Sequence, residues 1–322
     1  MATLVSLVIP THRRPQWLAR AIRGALGQTC QPYEIIVVEN GASHEAEAVV
    51  GQFQRQGAPI RYVYEREPDP CHARNVGIRA ARGTCIALMD DDDEWLPHKL
   101  ERQVAVLERQ PHVGLVTCKA YVVNVSGDTV GERPRGCGEV TFQSLVTHGC
   151  TIWSLSSVLI RRECLSAVGC FDSRYFIAND YDLYLRIARR YALALVPEPL
   201  FRYTVHDGNL SRGIERVMQE TVDVLHAVQP EPSLGVTQAM LDERISRCYH
   251  LMAVEARDAG EFRNAAGYYA KAIASDPAIG GKIPWARLRS PAYRFLRPYA
   301  NVAYCGVRSL AQRTAHTSSQ PS

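Results

Sequence analysis

No C-x-x-C pair occurs among the ten cysteines of this 322-residue chain. That absence excludes a zinc-finger spacing, and a chain of this size needs no disulfide framework, so reduced thiols are expected. No stretch reaches the roughly eighteen uninterrupted apolar residues of a membrane-spanning helix. The opening Met1–Pro10 has neither the positive leader nor the cleavage site of a signal peptide, and it reads as a strand; a cytosolic setting follows. No G-x-G-x-x-G lies between the first strand and the first helix, which argues against hydride transfer on NAD. The net charge of +4 is modest and gives no ground for a nucleic-acid partner.

What is present is an ordinary globular composition, 46% apolar and 22% charged, with the acids gathered at one place. The apolar run Ile86–Met89 suits a buried strand and ends in Asp90-Asp91-Asp92-Asp93-Glu94, followed by Trp95-Leu96-Pro97 and a helical pattern (Leu96, Leu100, Val104, Leu107). Carboxylates this close repel one another unless a cation sits among them. Oxygen ligands at a strand end favour a hard divalent ion such as Mg²⁺ or Mn²⁺. The other reading is an acidic turn that caps the following helix.

The rest of the chain places this run. Leu4–Ile9 is a near-continuous apolar run, the mark of a strand covered on both faces, and it stops at Pro10-Thr11-His12-Arg13-Arg14-Pro15. A helix through Trp17, Leu18, Ala21, Ile22, Ala25 and Leu26 follows. Glu34–Val38 is a second strand, ending in Glu39-Asn40-Gly41, with Ser43 placed to cap a helix over 44–56. Ile60–Tyr64 is a third strand, His72–Arg82 a helix and Thr84–Met89 the fourth strand. Such alternation argues a parallel α/β sheet, whose ligands sit outside the carboxyl ends of the strands. Thr11, Glu39 and Asp90–Asp93 all fall at those ends. Beyond them, strand patterns are expected over 113–125, 129–132, 156–160 and 192–196. A loop with one short helical piece is expected over 133–150, and a helix after Asn179-Asp180-Tyr181-Asp182 that shows Arg186, Arg189 and Arg190 to water.

In that order the chain resembles the family 2 glycosyltransferases, which have the GT-A fold. The matching pieces are Val5–Thr11, Glu34–Gly41, Ala73–Ile78, the aspartate run, Gly169–Asp172, Asn179–Leu183 and Tyr203–Ser211. The resemblance implies a Rossmann-like mixed sheet flanked by helices over residues 1–212. It implies an inverting, metal-dependent transfer of a sugar from a nucleotide-diphosphate donor, of UDP-hexose type, to the hydroxyl of a saccharide, lipid or peptide acceptor. Cell-surface polysaccharide, glycolipid or another glycoconjugate would be the product. Carried over residue by residue, Pro10, Thr11, Arg13, Glu39, Asn75, Asp90 and Asp91 would bind the donor. Asp92, Asp93 and His206 would hold the metal, and Asp180 would be the catalytic base. Glu39-Asn40 stands where relatives commonly have Asp-Asp, and Asn179 stands where they have Glu. These departures define the alternative, a catalytically impaired sugar-nucleotide-binding or scaffold protein.

After a helical pattern over 213–229 and the break Pro230-Glu231-Pro232, residues 249–277 fit the spacing of one tetratricopeptide-like repeat (Tyr249, Ala253, Ala256, Gly260, Ala265, Tyr269, Ala272, Pro277) or of an ordinary helical hairpin. A single repeat buries its face on another domain or in a homodimer. Residues 282–313 hold seven basic residues and no acid, interleaved with aromatics. That pattern suits peripheral contact with the inner face of a membrane or a basic helix packed on the acidic domain.

Overall fold

The computed structural model describes residues 3–134, 138–209, 213–279, 301–306 and 308–309. These divide into two compact units, one within 1–145 and 150–209, the other within 146–149 and 210–322.

The first unit begins with strand β1 (Val5–Thr11), helix α1 (Pro15–Leu26), β2 (Glu34–Asn40), α2 (Glu45–Arg55), β3 (Ile60–Glu65), α3 (Pro70–Ala80) and β4 (Cys85–Leu88). Every residue of β1, β2 and β4 is buried, as expected of strands covered on both faces. The chain continues through β5 (Glu94–Trp95), α4 (Lys99–Arg109), β6 (Val113–Val123), β7 (Thr129–Arg133), α5 (Phe142–His148), a 3₁₀ turn at Leu155–Ser157, β8 (Leu159–Arg161), α6 (Arg162–Val168), α7 (Asn179–Ala188) and β9 (Ala192–Thr204). The strands form one sheet in the order β3-β2-β1-β4-β8-β6-β9-β5, with β7 paired to β6.

The parallel sheet expected from the alternation is found over β3-β2-β1-β4. Beyond β4 the sheet is mixed: β8 runs antiparallel to β4 and β6, β9 runs parallel to β6, and β5 returns antiparallel on β9. The helical pattern after the acidic run starts only at Lys99, because Glu94 and Trp95 pair with Arg202 and Phe201 first. Residues 155–157 form the 3₁₀ turn instead of strand, and Arg186 does not simply face water. It holds Asp182 and the carbonyls of Val168, Gly169 and Cys170, which fixes the loop before α7. Helix α2 starts at Glu45, and its first free N–H groups meet the Glu39 carboxylate, which accepts from Ala46, while Ser43 Oγ accepts from Glu45.

Two close approaches set the layers. A Cβ at Gly77 would lie 2.2 Å from Val8 Cγ1, so only glycine lets α3 sit this tightly on β1. Gly41 has φ +88°, and a Cβ there would meet the His12 ring at 2.6 Å.

The second unit contains α8 (Ile214–Ala227), a 3₁₀ turn at Pro232–Leu234, α9 (Gln238–Asp258) and α10 (Phe262–Ser275). Helices α9 and α10 form a helical hairpin turned at Gly260, with Ala253, Ala256, Ala265 and Tyr269 buried together with Cys305. Most of the basic segment 282–313 lies outside the described residues.

Candidate active site

The carboxyl ends of β1, β2 and β4 bring Thr11, Glu39 and the aspartate run to one edge of the sheet, as the register requires: Thr11 pairs with Glu39 across β1 and β2, and Val8 pairs with Leu88 across β1 and β4. Each aspartate then has its own partners. Asp91 accepts from Thr11 Oγ1 at 2.7 Å and from Arg14 Nη1 at 3.2 Å. Asp92 Oδ2 accepts from Arg14 Nη1 at 2.7 Å and lies 2.9 Å from His206 Nε2. The Gly208 N–H donates to His206 Nδ1 at 3.1 Å, which orients the ring with Nε2 towards Asp92. Asp93 is fully buried and points into a polar socket, where it accepts from Ser154 Oγ at 3.2 Å and from the Thr204 N–H at 3.2 Å. Asp90 accepts from Arg74 Nη2 at 3.3 Å, and its backbone N–H is held by Ser156 Oγ at 2.9 Å.

The electrostatics follow from this packing. Burial, reinforced by the neighbouring Asp92 carboxylate, pushes the Asp91 carboxyl up to about 6. The same two causes raise Asp93 well above the usual range, and burial raises Asp90. Arg14 is the counter-charge shared by Asp91 and Asp92, and its guanidinium also reaches the Gly208 carbonyl at 3.1 Å. Arg20 supports the same corner: it donates to the Asp92 carbonyl at 2.6 Å and lies 4.7 Å from the Trp17 ring centroid, while Trp17 in turn packs 5.0 Å from His206.

Asp180 opens α7 and is partly buried. Desolvation pushes its carboxyl up to about 6, and the Asp90 charge adds to the rise; its bond from the Tyr181 N–H and the nearby Arg74 act the other way. Arg74 ties the two acidic elements together, donating to Asn179 Oδ1 at 3.3 Å while it holds Asp90.

The remaining sequence-chosen residues are placed as follows. Pro10 is buried in β1 beside Thr11. Glu39 is fully buried, with Tyr62 donating to Oε2 at 2.7 Å. Asn75 clamps the backbone of Phe171, accepting from its N–H at 3.0 Å and donating to its carbonyl at 2.8 Å. Arg13 is exposed with φ +53°, and its neighbour Arg14 makes the contacts to the acids. The sequence reading missed Arg14, Arg20, Ser154 and Ser156, and it gave no site role to Arg74 and Thr204, which lie within the matching pieces Ala73–Ile78 and Tyr203–Ser211. The one available signal was Ser154, Ser156 and Ser157 standing together in an otherwise apolar stretch.

Among the described residues, no three His, Cys, Asp or Glu side chains are gathered as a metal-ligand set. The Asp92–His206 pair nonetheless suits a divalent ion of the Mg²⁺ or Mn²⁺ type, because such ions keep several waters and take one or two protein ligands plus substrate phosphates.

Comparison with known proteins fits this geometry. The sequence profile described as Glycosyl transferase family 2 matches residues 6–168. An uncharacterized glycosyltransferase of Rickettsia typhi is 27% identical over 227 residues, 67% of this chain and 69% of the relative. One from Methanocaldococcus jannaschii is 27% identical over 221 residues, 65% of this chain and 74% of the relative. Among solved structures, residues 1–349 of S. aureus TarS in complex with UDP-GlcNAc align with a TM-score of 0.66 at 14% identity, covering 97% of this chain and 92% of that one. The mannosyltransferase PcManGT from Pyrobaculum calidifontis, in complex with GDP-Man and Mn²⁺, aligns with a TM-score of 0.61 at 18% identity, covering 96% and 88%. At these identities the structural matches establish the fold.

Proposed function

The chain belongs to glycosyl transferase family 2 and is a glycosyltransferase of GT-A fold, and from that premise we propose that it moves a hexose from a UDP-hexose to an acceptor hydroxyl with inversion, using a divalent cation, in glycoconjugate synthesis. The observation that carries this reading is the bridge Asp90–Arg74–Asn179, which holds the metal-run loop and the start of the Asp180 helix at one site.

Each step can be assigned to residues of this chain. Thr11 and Arg14 orient Asp91 and Asp92, so the carboxylates are pre-positioned. Of the three residues expected at the metal, Asp92 and His206 would hold the cation, with Asp90 and Asp91 facing the donor; Asp93, fully buried with both carboxylate oxygens engaged by Ser154 and Thr204, would anchor the run instead. When bound, the cation supplies Lewis-acid stabilisation of the charge that develops on the leaving diphosphate. Glu39, fixed by Tyr62 and the start of α2, closes the side of the pocket where the family's base-reading acid lies.

Asp180 accepts the proton of the acceptor hydroxyl. A carboxyl near 6 is largely ionised at pH 7.5 yet more basic than an ordinary aspartate, which suits a general base. One base and one leaving group suffice for a single displacement, and a single displacement inverts the anomeric centre. No described helix is long and apolar enough to cross a membrane. The reading places the chain in the cytosol, where the donor is made, with any membrane contact peripheral.

The test is a panel of nucleotide sugars with Mn²⁺, followed by turnover of the best donor by wild type and Asp180→Asn. The reading predicts donor binding by both proteins and turnover, including slow donor hydrolysis, by wild type. Binding without turnover in wild type would instead support the impaired-scaffold alternative.

A further inference from the structure

The acidic run, Arg74 and Asp180 account for the donor and the base, but not for an aromatic cluster next to them. Trp153 is 41% exposed, high for so large an apolar side chain. It directly precedes Ser154, whose hydroxyl grips Asp93. Its indole is held edge-to-face against Tyr203, with ring centroids 5.8 Å apart, and Tyr203 directly precedes Thr204, whose N–H also binds Asp93. Two neighbouring side chains are thus fixed to the anchor of the acidic run, and they leave an indole surface open.

Arg133, at the end of β7, lies with its guanidinium carbon 5.5 Å from the Trp153 ring centroid. Among the described residues its guanidinium donates only to the carbonyl of Glu132, at 3.0 Å. The adjacent acid does not neutralise it, because Glu132 is paired with Lys119 at 3.1 Å. A guanidinium without a carboxylate partner among the described residues, beside a half-open indole, combines two recognition elements. The indole face packs against the C–H face of a pyranose ring, and the guanidinium fork takes a carboxylate or phosphate bidentately.

We propose that Trp153, Tyr203 and Arg133 form the acceptor subsite, and that the acceptor they fit is a glycan bearing an anionic group, a carboxylate or a phosphate ester. This rests on the glycosyltransferase reading above and adds the acceptor class to it. In this arrangement Trp153 carries the sugar ring and Arg133 its charge, and Tyr203 keeps the indole in place. The connection through Ser154 and Thr204 ties the acceptor platform to the same carboxylate that anchors the metal run.

The probes are methyl β-D-glucuronide, methyl β-D-glucopyranoside 6-phosphate and neutral methyl β-D-glucopyranoside. Binding to the full chain is read by saturation-transfer NMR in the presence of UDP and Mn²⁺. The proposal predicts that at least one anionic glycoside binds about tenfold more tightly than the neutral one. Which one binds separates a carboxylate from a phosphate acceptor. Arg133→Gln abolishes the preference for charge, Arg133→Lys restores part of it, and Trp153→Ala weakens all three probes. Thermal melts without ligand check that each variant is folded; Arg133→Gln, at a partly exposed position, keeps the test alive if Trp153→Ala does not fold. The proposal is overturned if the neutral glycoside binds as well as both anionic ones, if folded Arg133→Gln keeps the preference, or if no probe binds while UDP with Mn²⁺ still stabilises wild type. If UDP with Mn²⁺ leaves the wild-type melt unchanged, the donor reading itself fails.

Discussion

Asp180, the proposed base, is the side chain whose electrostatics bear most directly on the proposed reaction. Its carboxyl is held near 6 against an ordinary 3.8 because burial disfavours the charged form. With Asp180 as the proposed base, active only when ionised, the rate should fall about tenfold per pH unit below about 6 and level off above it. A kcat/KM profile from pH 4.5 to 8.5 checks this, and a limb centred near 4 would contradict the environment described. The sign for stability is opposite. The folded state binds the Asp180 proton more tightly than the unfolded chain, so this carboxyl's contribution declines as pH rises from about 4 through 6. Asp180→Asn should accordingly be more stable than wild type at pH 7.5 but not at pH 4, while kcat drops about 10²–10⁴-fold. Parallel melts and turnover assays read both. The sequence showed the acids at this scale but not their partners. Asp90 to Glu94 stood out because five consecutive acids are rare after an apolar strand. The roles of Arg14, Arg74 and Arg20 did not, because an arginine carries no sign of the distant carboxylate or carbonyl it will meet.

At the scale of elements, α3 is seated on β1 by the absence of a side chain at Gly77. Gly77→Ala should cost about 1–3 kcal/mol through overpacking against Val8, measured by denaturant unfolding. Helix α4 carries a different cost. Lys99 is fully buried, donates to Gln103 Oε1 at 2.7 Å and lies 4.0 Å from the Trp95 ring centroid, and burial pushes its ammonium down to about 8. The unfolded chain holds that proton more tightly than the fold does, so stability gained from this group rises as pH climbs from about 8 towards 10.5. Lys99→Met should remove that rise, seen as a smaller difference in unfolding free energy between pH 7.5 and 10. Strands covered on both faces and amphipathic helices were legible as apolar runs and periodic patterns. The turn at Leu155–Ser157 was not, because its apolar flanks imitate a strand and its serines act through contacts distant in sequence, with Asp90, Trp95 and Thr117. The antiparallel placement of β8 was equally hidden: nothing within Leu159–Arg161 specifies its neighbours.

Over the whole molecule, the family match spans residues 6–168, while β9 and the turn that carries His206 complete the site from beyond it. The aspartate–histidine pair joins Asp92, four residues past β4, to His206, two residues past β9, 114 residues apart in sequence. In the proposed reaction this acidic edge binds a nucleotide diphosphate through a divalent ion. The most direct measurement is the thermal stability of the full chain with UDP, in Mn²⁺ and again after chelation with EDTA. At a hundredfold excess over Kd, ligation should add about 2.7 kcal/mol, a shift of several degrees. That shift is expected with Mn²⁺ and should vanish with EDTA; an equal shift under both conditions, or none with Mn²⁺, would rule out a metal-bridged diphosphate site.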